Sequence, residues 1–226
     1  MSHPLTISER INAVLRPIPK WLIYLLGSLP GIYIIVGTVL ALQGTDIFDG
    51  SLGIDPVKTI EHWLGELALQ FFIATMLISI LRDKFRLKLI KFRRPLGLLT
   101  FFYVVLHLGI WIGLDLQLRW SEIWGDILKR PYITIGMVSM ILLIPVACTS
   151  NNAAIKSLGP KVWQNLHKLV YPAFLLGGIH YVLVQKVWET EPLIYLGVII
   201  VLLLMRSRRL LPSFEKKRPK PVRERA

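Results

Sequence analysis

Six stretches of this chain are each long and apolar enough to cross the hydrocarbon core of a bilayer, and they decide its class before any single residue is considered. A core of about 30 Å takes about 20 helical residues. The runs are Trp21 to Leu42, Trp63 to Leu81, Pro95 to Leu114, Tyr132 to Cys148, Leu166 to Val184 and Pro192 to Leu211. The connections are short, with no internal repeat and no separate soluble domain, so the expected fold is all-α: a polytopic six-helix transmembrane bundle. The expected organisation is a cytoplasmic N-terminal segment (1–20), the membrane domain (21–211) and a basic cytoplasmic tail (212–226). Basic residues precede the first run as they do in a signal peptide. That run exceeds the about 7–15 apolar residues of a signal core, and no small-residue cleavage pair closes it. It is expected to be a retained helix.

Charge orients the bundle. The formal net charge is +13, from 27 Lys and Arg against 14 Asp and Glu. Of the 27 basic residues, 22 lie in the N-terminal segment, the loop 82–94, the loop after span 4 and the tail, facing only Glu9, Asp83, Glu215 and Glu224. The opposite side holds Lys58, Arg119, Lys129, Arg130 and Lys186 together with the remaining acids. The positive-inside rule therefore expects both termini in the cytoplasm. Nucleic-acid binding needs basic residues gathered with aromatics on one folded surface. Here they are split among four segments separated by spans, which fits topology and attraction to anionic headgroups instead.

The single cysteine, Cys148, excludes an intramolecular disulfide and any Cys-built zinc or iron–sulfur site. It is expected to be a small apolar filler. Chemistry must come from histidines, carboxylates or a bound cofactor. Ionisable groups inside spans are costly and usually face the bundle interior for a reason. His107 and His180 sit in apolar surroundings, 13 residues beyond Arg94 and 12 beyond Lys168. At about 1.5 Å per residue, each lies roughly 18 to 20 Å from its cytoplasmic edge. Spans 3 and 5 run in the same direction, so the two imidazoles can meet at one level, with Gly109, Gly177 and Gly178 nearby to admit a flat ring. This suits bis-axial ligation of a haem iron. The alternative is that each histidine hydrogen-bonds across helices.

His167 is 13 residues before His180, about 20 Å away on a straight helix, so the two cannot bind one iron. Pro172 between them offers a kink. Arg93 lies on nearly the same face as His107, one level nearer the cytoplasm, with Arg94 beside it. A guanidinium cannot ligate iron but binds phosphate or carboxylate well. A cytoplasmic station of His167, Arg93 and Arg94 suits haem propionates, a flavin phosphate or lipid headgroups. His62 reads as interfacial and His3 as lying in a disordered terminus. Trp21, Trp63, Trp120, Trp124, Tyr132, Trp163 and Trp188 read as an aromatic belt.

Several motifs occur together in order: Asp55-Pro56-Val57-Lys58, Arg93-Arg94-Pro95-Leu96-Gly97, Leu106-His107-Leu108, Arg130-Pro131-Tyr132-Ile133-Thr134-Ile135-Gly136, Trp163-Gln164-Asn165-Leu166-His167-Lys168-Leu169-Val170-Tyr171, Ile179-His180-Tyr181 and Pro192-Leu193-Ile194-Tyr195. As a set, over residues 20–211, they resemble the MsrQ (YedZ) family of haem-binding membrane subunits, which is related to ferric reductase-like membrane domains. The resemblance implies one b-type haem or two, with FMN also associated, in a bacterial inner-membrane bundle. It implies electrons arriving from the quinone pool or a cytosolic flavin reductase and passing to a periplasmic molybdoenzyme, MsrP, in a heterodimer. That enzyme repairs methionine sulfoxide in oxidised periplasmic proteins. The resemblance carries over His107, His167 and His180 as candidate haem ligands. Larger ferric reductase relatives use two histidine pairs, and Arg93 stands where the fourth histidine would fall.

The residues agree with that division of labour. The outer loops are too short to house a molybdenum cofactor, and no G-x-G-x-x-G motif follows span 6, so the chain is expected to be an electron-transfer subunit rather than the catalytic one. Its acidic, aromatic outer loops offer a docking face for a partner. Three other readings stay open at this point: a free-standing ferric or quinone reductase, a transporter whose buried histidines relay protons, and a non-catalytic membrane anchor.

Overall fold

A computed structural model of the chain describes residues 6–185 and 189–207. The expectations for His3, Trp188 and the tail 212–226 fall outside those residues. The described residues form helices α1 (Ile7–Leu15), α2 (Lys20–Leu42), α3 (Pro56–Phe85), α4 (Arg93–Ile110), α5 (Trp120–Lys129), α6 (Pro131–Cys148), α7 (Asn152–Leu166), α8 (Val170–Val184) and α9 (Thr190–Ser207), with no strand among them. Among the described residues, five helical stretches are long and apolar enough to cross a membrane: Lys20–Leu42, Pro56–Phe85, Ile90–Asp115, Pro131–Cys148 and Asn152–Val184. The third extends α4 through the π turn Trp111–Asp115, and the fifth joins α7 to α8 through the 3-10 turn His167–Leu169. α9 occupies the described part of the sixth expected span.

Local chemistry sets the helix boundaries. Pro56 and Pro131 open α3 and α6 at positions where a missing N–H costs nothing. The Asp55 carboxylate caps α3 by accepting from the Lys58 N–H at 3.2 Å. Asn151 caps α7 through Ala154 at 2.7 Å. Pro172 falls in the first turn of α8, so the chain there is re-aimed by the preceding 3-10 turn and not by a mid-helix kink. α7 itself bends at Gly159, whose φ of 73° only glycine adopts readily, followed by Pro160.

α3 is the shared wall of two cores. One face packs Leu69, Phe72 and Met76 against Leu143 of α6, Ala173 and Phe174 of α8, and Ile199 and Leu202 of α9. Another packs Ile60, Leu64 and Ala68 against Ile34 of α2, Phe48 of the following loop, and Tyr103 and Ile110 of α4. Between apolar helices in lipid, close packing and interhelical hydrogen bonds supply much of the attraction. The fully buried Tyr103 shows how. Its hydroxyl donates to Gly27 C=O at 2.6 Å and accepts from Gly31 N–H at 2.9 Å. In an uninterrupted helix those two α2 groups would bond each other, so Tyr103 of α4 is inserted into the α2 ladder beside Pro30. Ser139 of α6 likewise donates to Ala173 C=O of α8 at 2.8 Å.

Short helices dress the two ends. α1 is tied down by Asn12, which donates to Arg86 C=O and accepts from Lys88 N–H. The Lys91 ammonium donates to the carbonyls of Leu15, Arg16 and Ile18 at 2.8–3.0 Å. At the other end α5 buries Ile123 and exposes Trp120, Trp124 and Leu128. Cys148 is exposed at the end of α6, not packed as a core filler: the chain leaves the helix there, and Leu143 supplies the nearby buried contact.

Candidate functional site

His107 of α4 and His180 of α8 face each other across the interior, with ring centroids 6.2 Å apart and planes inclined by 81°. Each is fixed from behind by a different helix. His107 Nδ1 lies 2.9 Å from the carbonyl of Glu61 in α3, and His180 Nδ1 lies 2.7 Å from the carbonyl of Tyr132 in α6. A carbonyl can only accept, so both Nδ1 atoms carry the proton and both Nε2 atoms are left as lone-pair donors. That is the arrangement by which metal-binding histidines are usually oriented.

The two supports are built alike. Four residues beyond each accepting carbonyl the flanking helix carries a glycine, Gly65 after Glu61 and Gly136 after Tyr132. A Cβ at Gly65 would stand 3.3 Å from His107 Nδ1, and one at Gly136 would stand 2.8 Å from His180 Nδ1 and 2.9 Å from its Cε1. Each ring therefore lies on bare backbone, and it can reach the carbonyl only because the next turn has no side chain.

This donor set suits an iron macrocycle. Metal–imidazole bonds of about 2.0–2.1 Å through Nε2 would hold two ring centroids roughly 6.3 Å apart, and the observed separation is 6.2 Å. No group of three or more His, Cys, Asp or Glu able to hold a bare ion gathers among the described residues. His107 and His180 would supply two nitrogen donors to a metal whose remaining ligands come from a ring such as haem.

His167 belongs to a separate place. Its ring stacks on Trp163 with centroids 3.9 Å apart, and its Nε2 lies 3.1 Å from Thr149 Oγ1. The Thr149 hydroxyl donates to Pro145 C=O at 2.6 Å, so it accepts from His167, whose Nε2 then carries the proton. Trp163 Nε1 donates to Thr149 C=O at 2.9 Å, which closes the cluster. Arg93 and Arg94, at the start of α4, both act electrostatically on His167. Arg94 donates to Asn152 Oδ1 at 2.9 Å. Half-buried Arg93 lies within electrostatic reach of Arg206, Tyr171 and Arg82. Arg206 lies over the Tyr171 ring and donates to Ser79.

With this geometry in view, comparison with known proteins gives a consistent answer. A family model described as the ferric reductase like transmembrane component matches residues 57–178, from the start of α3 well into α8. The protein-methionine-sulfoxide reductase heme-binding subunit MsrQ of Brucella anthropi is 43% identical over 199 residues, covering 88% of this chain and 85% of its own length. The proteins of the same name from Brucella ovis and Brucella canis match at the same identity and coverage. The chain belongs to the MsrQ family.

As a member of the MsrQ family it shows which site residues its sequence disclosed and which it hid. The depth match that paired His107 with His180 corresponds to the observed ring contact, and Arg93, Arg94 and His167 do gather at the basic end. The glycines that admit the rings are Gly65 and Gly136, on the flanking helices. Gly178 makes room for Ile199 and Leu196, Gly177 faces Ser139 and Leu69, and a Cβ at Gly109 would meet nothing within 4 Å. The signal for Gly136 lay inside the Arg130 to Gly136 motif. The carbonyls of Glu61 and Tyr132 had no signal, since every residue carries one.

Proposed function

We propose that this MsrQ family member is a haem b transmembrane electron-transfer subunit. In this reading it passes electrons from the quinone pool or a cytosolic flavin reductase to a periplasmic MsrP-type molybdoenzyme, with which it forms a heterodimer that repairs methionine sulfoxide in oxidised periplasmic proteins. The observation that carries this reading is the His107–His180 pair, with both Nδ1 atoms bonded to backbone and both Nε2 atoms left as donors. The names of the Brucella relatives, heme-binding subunits of a methionine sulfoxide reductase, support it.

His107 and His180 would hold the haem, which supplies one-electron redox chemistry without needing a proton. The protein's part is to fix the imidazoles. Glu61 C=O and Tyr132 C=O lock the tautomers, Gly65 and Gly136 set the ring positions, and the apolar bundle excludes water. Locked tautomers disfavour the proton-relay transporter, because neither Nδ1 can release its proton without breaking a buried bond. The arginines and His167 at the basic end would form the cytoplasmic station for FMN, whose phosphate offsets their clustered like charge. His167 would serve a second haem or an alternative ligand state.

In this reading residues 21–211 are the membrane domain, in a bacterial inner membrane. Residues 1–20 and 212–226 lie in the cytoplasm, in contact with anionic lipid, and α5 and the acidic loops face the periplasmic partner. The test is the absorption spectrum of the purified protein, oxidised and dithionite-reduced. A low-spin haem b spectrum is expected, whereas a folded, fully loaded but colourless sample would overturn the reading in favour of transport or anchoring.

A further inference from the structure

Each histidine is fixed within its own pair of helices. His107 stands on α4, and its supports, Glu61 C=O and Gly65, belong to α3. His180 stands on α8, and its supports, Tyr132 C=O and Gly136, belong to α6. α3 packs most extensively on α4, and α6 on α8. Ser139 adds a direct hydrogen bond within the second pair. Neither cradle reaches across to the other. Two rings can serve one metal only if the two pairs keep their separation and their mutual rotation, so something outside the cradles has to set both.

The join between the pairs is narrow. Phe72 of α3 meets Phe174 of α8 with ring centroids 4.5 Å apart. Phe72 lies seven residues beyond Gly65, and Phe174 six before His180, so this contact is about 10 Å nearer the basic end. Apolar packing of that kind is also non-directional. At the level of the rings the contact is different: Tyr181 of α8 donates its hydroxyl to Glu66 Oε1 of α3 at 2.7 Å. Among the described residues it is the side-chain hydrogen bond that links α3 to α8 at this level. Both of its ends are one residue from the site, since Tyr181 follows His180 and Glu66 follows Gly65. The Tyr181 ring is buried, and Tyr195 of α9 packs edge to face against it with centroids 5.6 Å apart.

We infer that Tyr181 and Glu66 are positioning residues for the haem: their hydrogen bond clamps α8 to α3 and so sets the separation and mutual angle of the His107 and His180 rings. A slide or turn of α8 would carry His180 with it, and α6 would follow because it holds that ring. The Tyr181–Glu66 bond opposes such a movement, because it is directional and ties the backbone beside one ligand to the backbone beneath the other. This role rests on the haem reading above.

The test uses the full-length, haem-loaded protein in lipid nanodiscs. Y181F removes a single oxygen and keeps the buried ring. Ferric EPR g-values report the angle between two axial imidazole planes, which is 81° here. The rate of CO binding to the dithionite-reduced protein reports how often an imidazole leaves the iron. Y181F is expected to shift the g-values and to bind CO about three- to tenfold faster than wild type, the worth of one interhelical hydrogen bond in a membrane. E66L should do the same and serves as the comparison if Y181F does not fold. E66Q keeps an acceptor oxygen for Tyr181 and should stay close to wild type. Y195F breaks the bond from Gln70 to α9, a helix that carries neither histidine, and should leave both readouts unchanged even where it lowers the thermal midpoint. Wild-type behaviour in folded Y181F, an equal change in Y195F, or a change in E66Q as large as that in E66L would overturn the clamp and leave the haem reading standing. A folded wild type that stays colourless after reconstitution with haem would overturn the haem reading and the clamp with it.

Discussion

The His180 imidazole rests directly on the backbone of Gly136, so closely that a methyl group there would stand 2.8 Å from Nδ1. The neighbour it would strike is a ring already pinned to Tyr132 C=O, which cannot swing aside without losing that bond. Gly136→Ala is therefore expected to displace His180, at an overpacking cost of about 1–3 kcal/mol. Haem-to-protein ratio and the reduced α-band measure it. Gly65→Ala meets His107 at 3.3 Å and should give the same change more weakly. An equal or reversed order would contradict the cradle.

If His107 and His180 share one iron, His107→Ala and His180→Ala should each abolish the same low-spin signal. His167→Ala, which instead breaks the contacts with Thr149 and Trp163, should leave that signal in place. Visible and low-temperature EPR spectra of the three variants separate the cases. Retention of the signal in either of the first two variants would sink the pairing.

Arg93 sits among Arg82 and Arg206, a cluster that favours an anion. If the station holds FMN as proposed, Arg93→Ala is expected to weaken its retention roughly tenfold or more, the worth of one charge-assisted hydrogen bond. The His107–His180 spectrum should not change. Flavin fluorescence released by denaturation provides the measurement, and unchanged flavin content would assign the cluster to lipid headgroups.

Tyr103→Phe removes the hydroxyl inserted between Gly27 C=O and Gly31 N–H. Partial re-formation of the direct α2 bond limits the damage, so a loss of about 1–2 kcal/mol is expected. It should appear as a lower thermal midpoint in detergent with the haem spectrum intact. A spectrum that changed along with the midpoint would mean that the α2–α4 contact also positions His107.

Lys91 holds three carbonyls at the end of α1. Lys91→Met should release that segment without disturbing the bundle. The expected readout is faster hydrogen exchange confined to residues 6–18; exchange that also rose in α3 or α4 would show that Lys91 braces the bundle itself.

Sequence alone determined the membrane class, the place of five of the six expected spans and the level at which His107 and His180 meet. Those follow from hydropathy and from the rise of a helix, both of which are properties of one segment at a time. Charge segregation told the two ends apart, and depth along the helices placed Arg93, Arg94 and His167 together. Tertiary structure decided what holds the imidazoles. The carbonyls of Glu61 and Tyr132 are chemically the same as every other carbonyl, and Gly65 and Gly136 look like any glycine in an apolar run, until packing sets a ring against them. The same holds for Tyr103 in the α2 ladder and for Glu66, whose partner Tyr181 is 115 residues away. Each of these depends on which helices are neighbours and how they are rotated. That choice is made by the packing of whole surfaces, which a reading of one segment does not contain.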